Sequence, residues 1–293
     1  MAGWPNLSEL VSSGNSDARV GLIGAPLAMG SVTPGRCDLA PATLRATLRR
    51  IGRYDIETGR ELTTTVHDAG DVEIEDLSIE DATPIIREAV GTNLRALTLL
   101  VGGNNAVTRP GVLGLGLGRP LDQVGLITLD AHFDMRDLGQ GLGNGNPVRA
   151  LIEDGLPGAN IAQVGLAPFA NSKAMHDDAL AAGNKIVSIG EVRRDGIAAA
   201  IARALDHVRH CDVIAVDCDI DVIDRSQFPG APGARPGGMA ATDFFAAVRK
   251  LASEPRVRLI DLTEWDPPLD GSALSALAAG RWLAECLAGF EMR

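Results

Sequence analysis

Two short segments of the sequence place metal-ligand side chains at alternating positions. In the first, Asp130, His132 and Asp134 follow the apolar run 125–129. Side chains at alternate positions of an extended segment point the same way, so the three can converge on one ligand. Two carboxylates and an imidazole suit Mn²⁺, Zn²⁺ or Ni²⁺ better than Ca²⁺, which prefers oxygen ligands alone.

The second segment repeats this arrangement. Asp217, Asp219 and Asp221 follow the apolar run 213–216, and Asp224 comes three residues later. Carboxylates crowded at the end of a buried strand raise one another's pKa values unless a cation neutralises them. Taken alone, each segment also fits a locally satisfied or solvated strand end. Together they favour a metal-dependent hydrolytic centre.

Short apolar or β-branched runs alternate with stretches that carry polar residues at helical spacing. The predicted strands are 19–23, 64–67, 97–101, 124–129, 161–164, 185–189, 213–217 and 257–262. The predicted helices are 41–50, 79–95, 148–153, 195–209, 241–251 and 272–288. Several strands are apolar throughout, which is typical of strands covered on both faces. We expect one α/β domain over residues 1–293, a three-layer α/β/α sandwich with a mainly parallel sheet of about eight strands.

Polar residues follow four of these predicted strands. They are the segments 102–105, 130–134, 217–221 and 263–264. In open parallel sheets, ligands bind just beyond the carboxyl ends of the strands. We therefore expect the four segments to meet at one edge of the sheet.

Composition excludes several other classes of function. The net charge is -11 with no cluster of Lys and Arg, which argues against a nucleic-acid partner. The cysteines Cys37, Cys211, Cys218 and Cys286 have no C-x-x-C spacing and are expected to be buried thiols. The sequence shows neither a basic leader nor an apolar run of about 18 residues, so we expect a cytoplasmic protein without a membrane partner.

The motifs resemble those of the ureohydrolase family, which includes arginase, agmatinase and formiminoglutamase. The resemblance runs nearly end to end and is most specific in D-A-H-x-D, D-x-D and D-x-x-E, which lie here at 130–134, 219–221 and 261–264. The Gly-Ala-Pro turn 24–26, the Pro-Gly loop with the P-x-x-L-R helix that follows it, and the D-x-G-D-V segment 68–72 also match.

The resemblance implies a centre for two metal ions. Asp130 and Asp219 would bridge the ions, His132 and Asp221 would complete one site, and Asp134 would belong to the other. Mn²⁺ is the implied ion, with Ni²⁺ or another divalent ion as an alternative. Trimers or hexamers of the chain are also implied.

The resemblance further implies a reaction. A hydroxide held by the metal would attack the trigonal carbon of a guanidino or formimino group on a small-molecule substrate. Glu264 would bind the planar cationic end of the substrate, and Asp134 would pass a proton to the leaving nitrogen. Asp224 matches an acid that orients a ligand loop, whereas Asp217 has no clear counterpart.

The sequence departs from the family pattern in two places. Asn105 replaces a metal-binding histidine, and a neutral amide is a weaker ligand, so the second metal site is expected to be weak or absent. Asn144 stands where arginase has a proton-shuttling histidine. A largely mononuclear enzyme, with one tightly bound metal ion, is therefore an alternative to the two-metal centre.

The segment around Asn144, Asn146 and Arg149 is expected to bind the substrate. Together with the segment 165–173, it looks more like formiminoglutamase than arginase. Arg149 and Lys173 are candidates for holding a substrate carboxylate, and solvated surface cations are the other interpretation.

The absence of histidine at positions 105 and 144 is also compatible with a protein that is not an enzyme. The chain would then be a non-catalytic metabolite-binding or regulatory relative with an incomplete metal centre. The retained carboxylates and imidazole argue against it, because such charges are costly to keep together without a cation.

Overall fold

A parallel sheet forms the centre of the computed structural model, which describes residues 4–293. In chain order the strands are β1 (Val11–Ser12), β2 (Val20–Ala25), β3 (Tyr54–Asp55), β4 (Arg60–Glu61), β5 (Val66–Asp71), β6 (Leu97–Gly102), β7 (Val124–Leu129), β8 (Ile161–Leu166), β9 (Lys185–Ser188), β10 (Val213–Cys218) and β11 (Val257–Leu262). Strands β3 and β4 form a separate antiparallel hairpin. The other nine are parallel, in the order β1-β5-β2-β6-β11-β10-β7-β8-β9.

Helices cover both faces of this sheet. They are α1 (Ala40–Thr47), α2 (Ile79–Thr92), α3 (Thr108–Leu115), α4 (Pro147–Glu153), α5 (Lys173–Ala182), α6 (Ile189–Asp195), α7 (Ile197–His207), α8 (Ala241–Ala252) and α9 (Leu274–Phe290). Alternate residues of β6 enter two different hydrophobic clusters, Leu99 and Val101 one and Leu100 the other. Helices α1, α7, α8 and α9 pack into the first cluster, and α2, α3, α4 and α5 into the second.

The predicted three-layer α/β sandwich is thus confirmed, with corrections in detail. All eight predicted strands lie in the sheet, which gains β1 at its edge and is parallel throughout. The helix predicted over 195–209 is observed as α7, which begins at Ile197 and ends at His207, and Gly196 (φ 84°) separates it from α6. Helix α2 ends at Thr92, three residues before its predicted end, and helices α3, α5 and α6 were not predicted.

Two further sequence expectations concern the cysteines and the membrane. All four cysteines are buried and free, as expected. Within residues 4–293, no helix has both the length and the apolar character needed to cross a membrane.

The last helix depends on a cap that lies four residues before its start. Asp270 accepts hydrogen bonds from the Ser272 and Ser275 backbone N–H groups at 2.7 and 2.6 Å. Although burial opposes ionisation, these bonds and the one from the Ser272 hydroxyl lower the pKa of Asp270 to about 2. The charged carboxylate therefore satisfies the Ser275 N–H, a donor that the first turn of helix α9 leaves free, and also binds the Ser272 N–H just before the helix.

Replacing Asp270 with alanine is expected to lower the free energy of unfolding by about 1 kcal/mol, because it removes this cap. Since folding lowers this pKa, the loss should be complete above about pH 4 and vanish as the pH falls towards about 2. Urea unfolding at several pH values measures it. The exposed Asp17, replaced with alanine, is the control, and an equal loss in both variants would contradict the capping role.

Candidate metal centre

Four neighbouring strands at the middle of the sheet carry the candidate site at their carboxyl ends. In sheet order β6-β11-β10-β7, they lead to Asn105, to Glu264, to the Asp219/Asp221 pair and to the segment 130–134. The strands are in parallel register, with Val216 beside both Ile127 and Ile260. The fold therefore brings together the four segments that the sequence predicts to meet.

The carboxylates and the imidazole form two overlapping groups with ligand atoms within 4.8 Å of one another. One group contains Asp130, His132 and Asp221, and the other contains Asp130, Asp134 and Asp219. His132 Nδ1 lies 3.0 Å from Asp221 Oδ2 and 3.5 Å from Asp130 Oδ1. All four carboxylates are buried. Asp130 is common to both groups.

Burial makes this arrangement costly for the protein alone. Burial raises the pKa of Asp130 to about 6, and the nearby Asp221 carboxylate adds to that rise. Burial and neighbouring carboxylates also hold the pKa values of Asp134 and Asp219 well above their ordinary range. For His132, burial alone would lower the pKa, but the Asp221 and Asp130 carboxylates outweigh it and raise the pKa to about 12. Among the residues of the two ligand groups, His132 carries the only positive charge.

Two buried oxygen atoms show that these residues fit a divalent cation. Asp130 Oδ2 and Asp221 Oδ1 accept no hydrogen bond from residues 4–293. Buried carboxylate oxygens without a donor are costly, and a hard or borderline cation is the ligand that would satisfy them. The residues that would hold it are Asp130, His132, Asp134, Asp219 and Asp221.

A glycine leaves room beside this cluster. A Cβ atom added to Gly233 would lie 2.0 Å from Asp221 Oδ2 and 3.2 Å from the His132 ring. Both side chains would have to move away from the position in which they share a ligand. Gly233 is therefore required by the close approach of its backbone to the metal ligands.

Replacing Gly233 with alanine is expected to weaken metal binding at least about tenfold, because displaced ligands lose their common geometry. Titration of the metal-free variant with Mn²⁺, followed by calorimetry, measures this change. Gly271→Ala is the matched control, since its added Cβ meets no atom within 4 Å. Equal Mn²⁺ affinity in the two variants would show that the loop at Gly233 can shift without displacing the metal ligands.

The side-chain oxygen of Asn105 is occupied by hydrogen bonds and does not face the carboxylate cluster. Its Oδ1 atom accepts hydrogen bonds from the hydroxyls of Thr108 and Thr263 at 2.8 and 2.9 Å. Its Nδ2 atom donates to Asp134 Oδ2. In this arrangement Asn105 positions Asp134, and the amide must rotate by half a turn before its oxygen can face a cation beside Asp134.

Glu264 closes the site on the side of β11. Its Oε1 atom accepts hydrogen bonds from the Asn105 backbone N–H at 2.7 Å and from Asn144 Nδ2 at 2.8 Å. Its Oε2 atom accepts none from residues 4–293 and is available to a cationic ligand. Burial raises the pKa of Glu264 to about 7, against the effect of the two hydrogen bonds. Asn144 also accepts a bond from the Val32 N–H at 2.8 Å, so it ties Glu264 to a neighbouring loop.

Two of the acidic residues have a strained backbone. Asp134 and Glu264 have φ angles of 53° and 59°. Residues other than glycine rarely adopt this left-handed conformation, and it occurs where the surrounding structure enforces a particular side-chain direction. Here it aims both carboxylates into one cavity.

This cavity has a volume of about 310 Å³ and opens above the carboxylates. His132, Asp134, Asp219, Asp221, Asn144 and Glu264 line it. Arg136 and Arg235 also line it, and no motif in the sequence predicted either residue as part of the site. Their only signal in the sequence was their place in loops adjacent to the ligand segments.

Three residues expected near the substrate have other contacts. Arg149 bonds to the Met135 carbonyl oxygen at 3.2 Å and pairs with Asp178. Lys173 is exposed and pairs with Asp177 one helical turn away. Asn146 is buried and bonds to the Gly143 N–H and the Gly141 carbonyl oxygen, so it shapes its own loop. None of the three lines the cavity.

The two remaining aspartates of the second segment, Asp217 and Asp224, lie outside the two ligand groups. Asp224 accepts hydrogen bonds from the Gly237 and Gly238 N–H groups at 2.6 and 3.2 Å, and so fixes the loop that carries Gly233. Asp217 is fully buried beside Asp261 on the neighbouring strand. Burial and the Asp261 carboxylate hold the pKa of Asp217 well above its ordinary range.

A cluster of buried carboxylates and one imidazole, at the carboxyl edge of a parallel sheet and beneath an open cavity, defines a metal-dependent hydrolase of the three-layer α/β class. The sequence profile of the Arginase family matches residues 18–289. The chain therefore belongs to the arginase family.

Known proteins of this family resemble the chain over nearly its whole length. The formimidoylglutamase of Halalkalibacterium halodurans is 30% identical over 277 residues, which cover 92% of this chain and 86% of the relative. The crystal structure of formimidoylglutamase from Bacillus subtilis superposes with a TM-score of 0.93 at 27% identity, and the match covers 100% of this chain and 94% of the other. A formiminoglutamase from Trypanosoma cruzi, described with Mn2+2, has a TM-score of 0.91 at 24% identity over 99% of both chains.

Proposed function

We propose that this protein is a Mn²⁺-dependent hydrolase that cleaves a C–N bond of a linear formimino compound, in the manner of a formiminoglutamase. The observation that carries the proposal is that the metal-ligand cluster and Glu264 line the same cavity. The relatives described as formimidoylglutamases support the formimino group over a guanidino group. Agmatinase-like or arginase-like activity is the alternative within the same class.

The residues of the chain divide this task. When bound, divalent ions in such a centre act as Lewis acids and make a water nucleophile available near neutral pH. The unpaired Oε2 of Glu264 binds the planar amidinium and holds its carbon in line for attack. Asp134, aimed into the cavity, accepts a proton from the nucleophile and passes it to the leaving nitrogen. Asn144 holds Glu264 in place and has no titrating group for proton transfer.

We further propose that two Mn²⁺ ions bind, and that Asp130 and Asp219 would be the ligands shared between them. Carboxylates with a single imidazole suit Mn²⁺, and the overlap of the two groups at Asp130 supports two positions. Elemental mass spectrometry after equilibration with excess Mn²⁺ tests this number. A result of about one ion per chain would contradict it and favour a mononuclear enzyme, with Asn105 only positioning Asp134.

Substrate assays test the activity itself. The protein, loaded with Mn²⁺ or Ni²⁺, is incubated with formiminoglutamate, guanidinobutyrate, guanidinopropionate, arginine and agmatine. Release of formamide from the formimino compound, with weaker release of urea from the others, is expected. Absence of product across the panel would overturn the proposal and favour a metabolite-binding relative. The same protein with the metal removed by chelation is the control.

The remaining proposals concern the protein as a whole. We propose that residues 1–293 form one domain, which the family match over 18–289 supports. A cytoplasmic location and a homo-oligomer are proposed from the sequence and the family resemblance. Light scattering of the purified protein measures the oligomeric state.

A further inference from the structure

Arg136 and Arg235 indicate which charge the substrate has at the end that lies away from the metal centre. Both side chains line the cavity above the carboxylate cluster, and both residues are exposed. The metal-ligand carboxylates that line the same cavity are buried. The two exposed arginines therefore lie towards the solvent side of the cavity lining, and the buried carboxylates lie deeper.

Neither guanidinium is neutralised by the protein. Within the described part of the chain, Arg136 and Arg235 form no salt bridge and donate no side-chain hydrogen bond. Several other arginines are paired, such as Arg45 with Asp68 and Asp71, and Arg109 with Asp154. Acidic residues outnumber basic ones, 38 to 27, so unpaired arginines at one opening are not explained by a shortage of carboxylates.

The loops that carry these arginines are held in place. Arg136 lies two residues after Asp134, and its backbone N–H donates to the Gly145 carbonyl oxygen at 3.1 Å. The Arg235 carbonyl oxygen accepts from the Arg225 N–H at 3.2 Å, and the Arg225 side chain bonds to the carbonyl oxygens of Ala231 and Pro232. The charges are thus presented from fixed backbone positions, which favours their use in recognition.

Guanidinium groups bind carboxylates through paired hydrogen bonds. We propose that Arg136 and Arg235 bind the carboxylate end of the substrate while Glu264 binds its amidine end. This inference rests on the proposed function and narrows it. The protein selects linear amidines that end in one or two carboxylates, and it rejects amidines that end in an ammonium group, because a second cation would face two guanidinium groups.

We place the substrate carboxylate on Arg136 and Arg235 instead of on Arg149 and Lys173. Those two cations are already neutralised by Asp178 and Asp177. Arg136 and Arg235 are the specificity-determining residues in their place. Because they lie outside the metal cluster, their loss should affect KM for carboxylate substrates far more than kcat.

The test uses the Mn²⁺-loaded protein and the variants Arg136→Gln, Arg235→Gln and the double variant. The substrates are formiminoglutamate and its diester, which share the reacting group and differ in charge. Each single variant should raise KM for the acid roughly tenfold, the double variant roughly a hundredfold, and all should leave the diester nearly unchanged. Arg136→Lys should recover part of the loss. Arg60→Gln, an exposed arginine outside the cavity, is the matched control.

The outcomes separate this inference from the proposed function. Equal losses on acid and diester, or no loss on either, would overturn the role of the arginines while the hydrolase remains. If the wild-type protein turns over no amidine, calorimetric binding of glutamate to the Mn²⁺-loaded protein decides. Binding that weakens at least about tenfold in the double variant supports the carboxylate site, and absence of binding or equal binding overturns it.

Discussion

Replacing Asp130 with asparagine is expected to abolish hydrolysis and, at the same time, to raise the melting temperature of the metal-free protein. Asp130 is fully buried and belongs to both groups of candidate ligands. Asparagine keeps an oxygen that can accept the 2.7 Å hydrogen bond from the His132 N–H, so the local backbone is preserved. It removes the negative charge that a bridging position requires.

The two effects have one cause. Without a metal, the charge of Asp130 repels the neighbouring carboxylates and raises the pKa values of Asp134 and Asp219. Removing that charge relieves the repulsion, so Tm of the metal-free variant should rise by a few degrees, at roughly 2–4 °C per kcal/mol. With Mn²⁺ present, the variant should gain little stability and lose at least about a hundredfold in kcat/KM.

Thermal unfolding with and without Mn²⁺, together with kcat/KM for the formimino substrate, measures both effects. Asp212→Asn is the matched control, because it makes the same change at an exposed site outside the cavity. Retained activity in Asp130→Asn would exclude Asp130 from the centre. A lower Tm in the metal-free variant would indicate that the charge stabilises the fold without a metal.

The cluster of candidate metal ligands could be predicted from the sequence because its residues lie within two short segments, 130–134 and 219–221. Alternating ligands placed directly after a buried strand fix both the direction of the side chains and their place at the sheet edge. Once Asp130, His132, Asp134, Asp219 and Asp221 follow strands of one parallel sheet, they must lie at the same edge. The order of the strands then decides whether they meet, and here β7 and β10 are direct neighbours.

The other parts of the site depend on contacts that are distant in the sequence. The two hydroxyls that hold the Asn105 amide come from Thr108 and from Thr263, 158 residues away. Arg149 was assigned to the substrate because its partner Asp178, 29 residues away, could not be read from spacing. Arg136 and Arg235 were missed for the converse reason, since only the folded loops bring them to one opening. Strand β1 was missed because two residues carry no periodic pattern.

Removing divalent ions is expected to destabilise the protein, and to do so more strongly as the pH rises. Burial raises the folded-state pKa of Asp130 to about 6 and of Glu264 to about 7, from ordinary values of 3.8 and 4.5. A group whose pKa is raised by folding contributes stability that is present below its ordinary pKa and lost as the pH rises through the folded value. The raised pKa of His132 acts in the same direction above its ordinary value of 6.5.

The metal-free protein should therefore lose stability from about pH 4 to pH 7 through Asp130 and Glu264, and continue to lose it above pH 7 through His132. Each unit of pKa shift corresponds to about 1.4 kcal/mol. Bound Mn²⁺ reverses the trend, because its ligands must be deprotonated and its affinity rises with pH. The gap in Tm between the Mn²⁺-loaded and the chelated protein should widen from about pH 5 to about pH 8. Asp130→Asn should flatten this dependence. If this difference in Tm stays constant or narrows over the same pH range, the buried acids are not metal ligands.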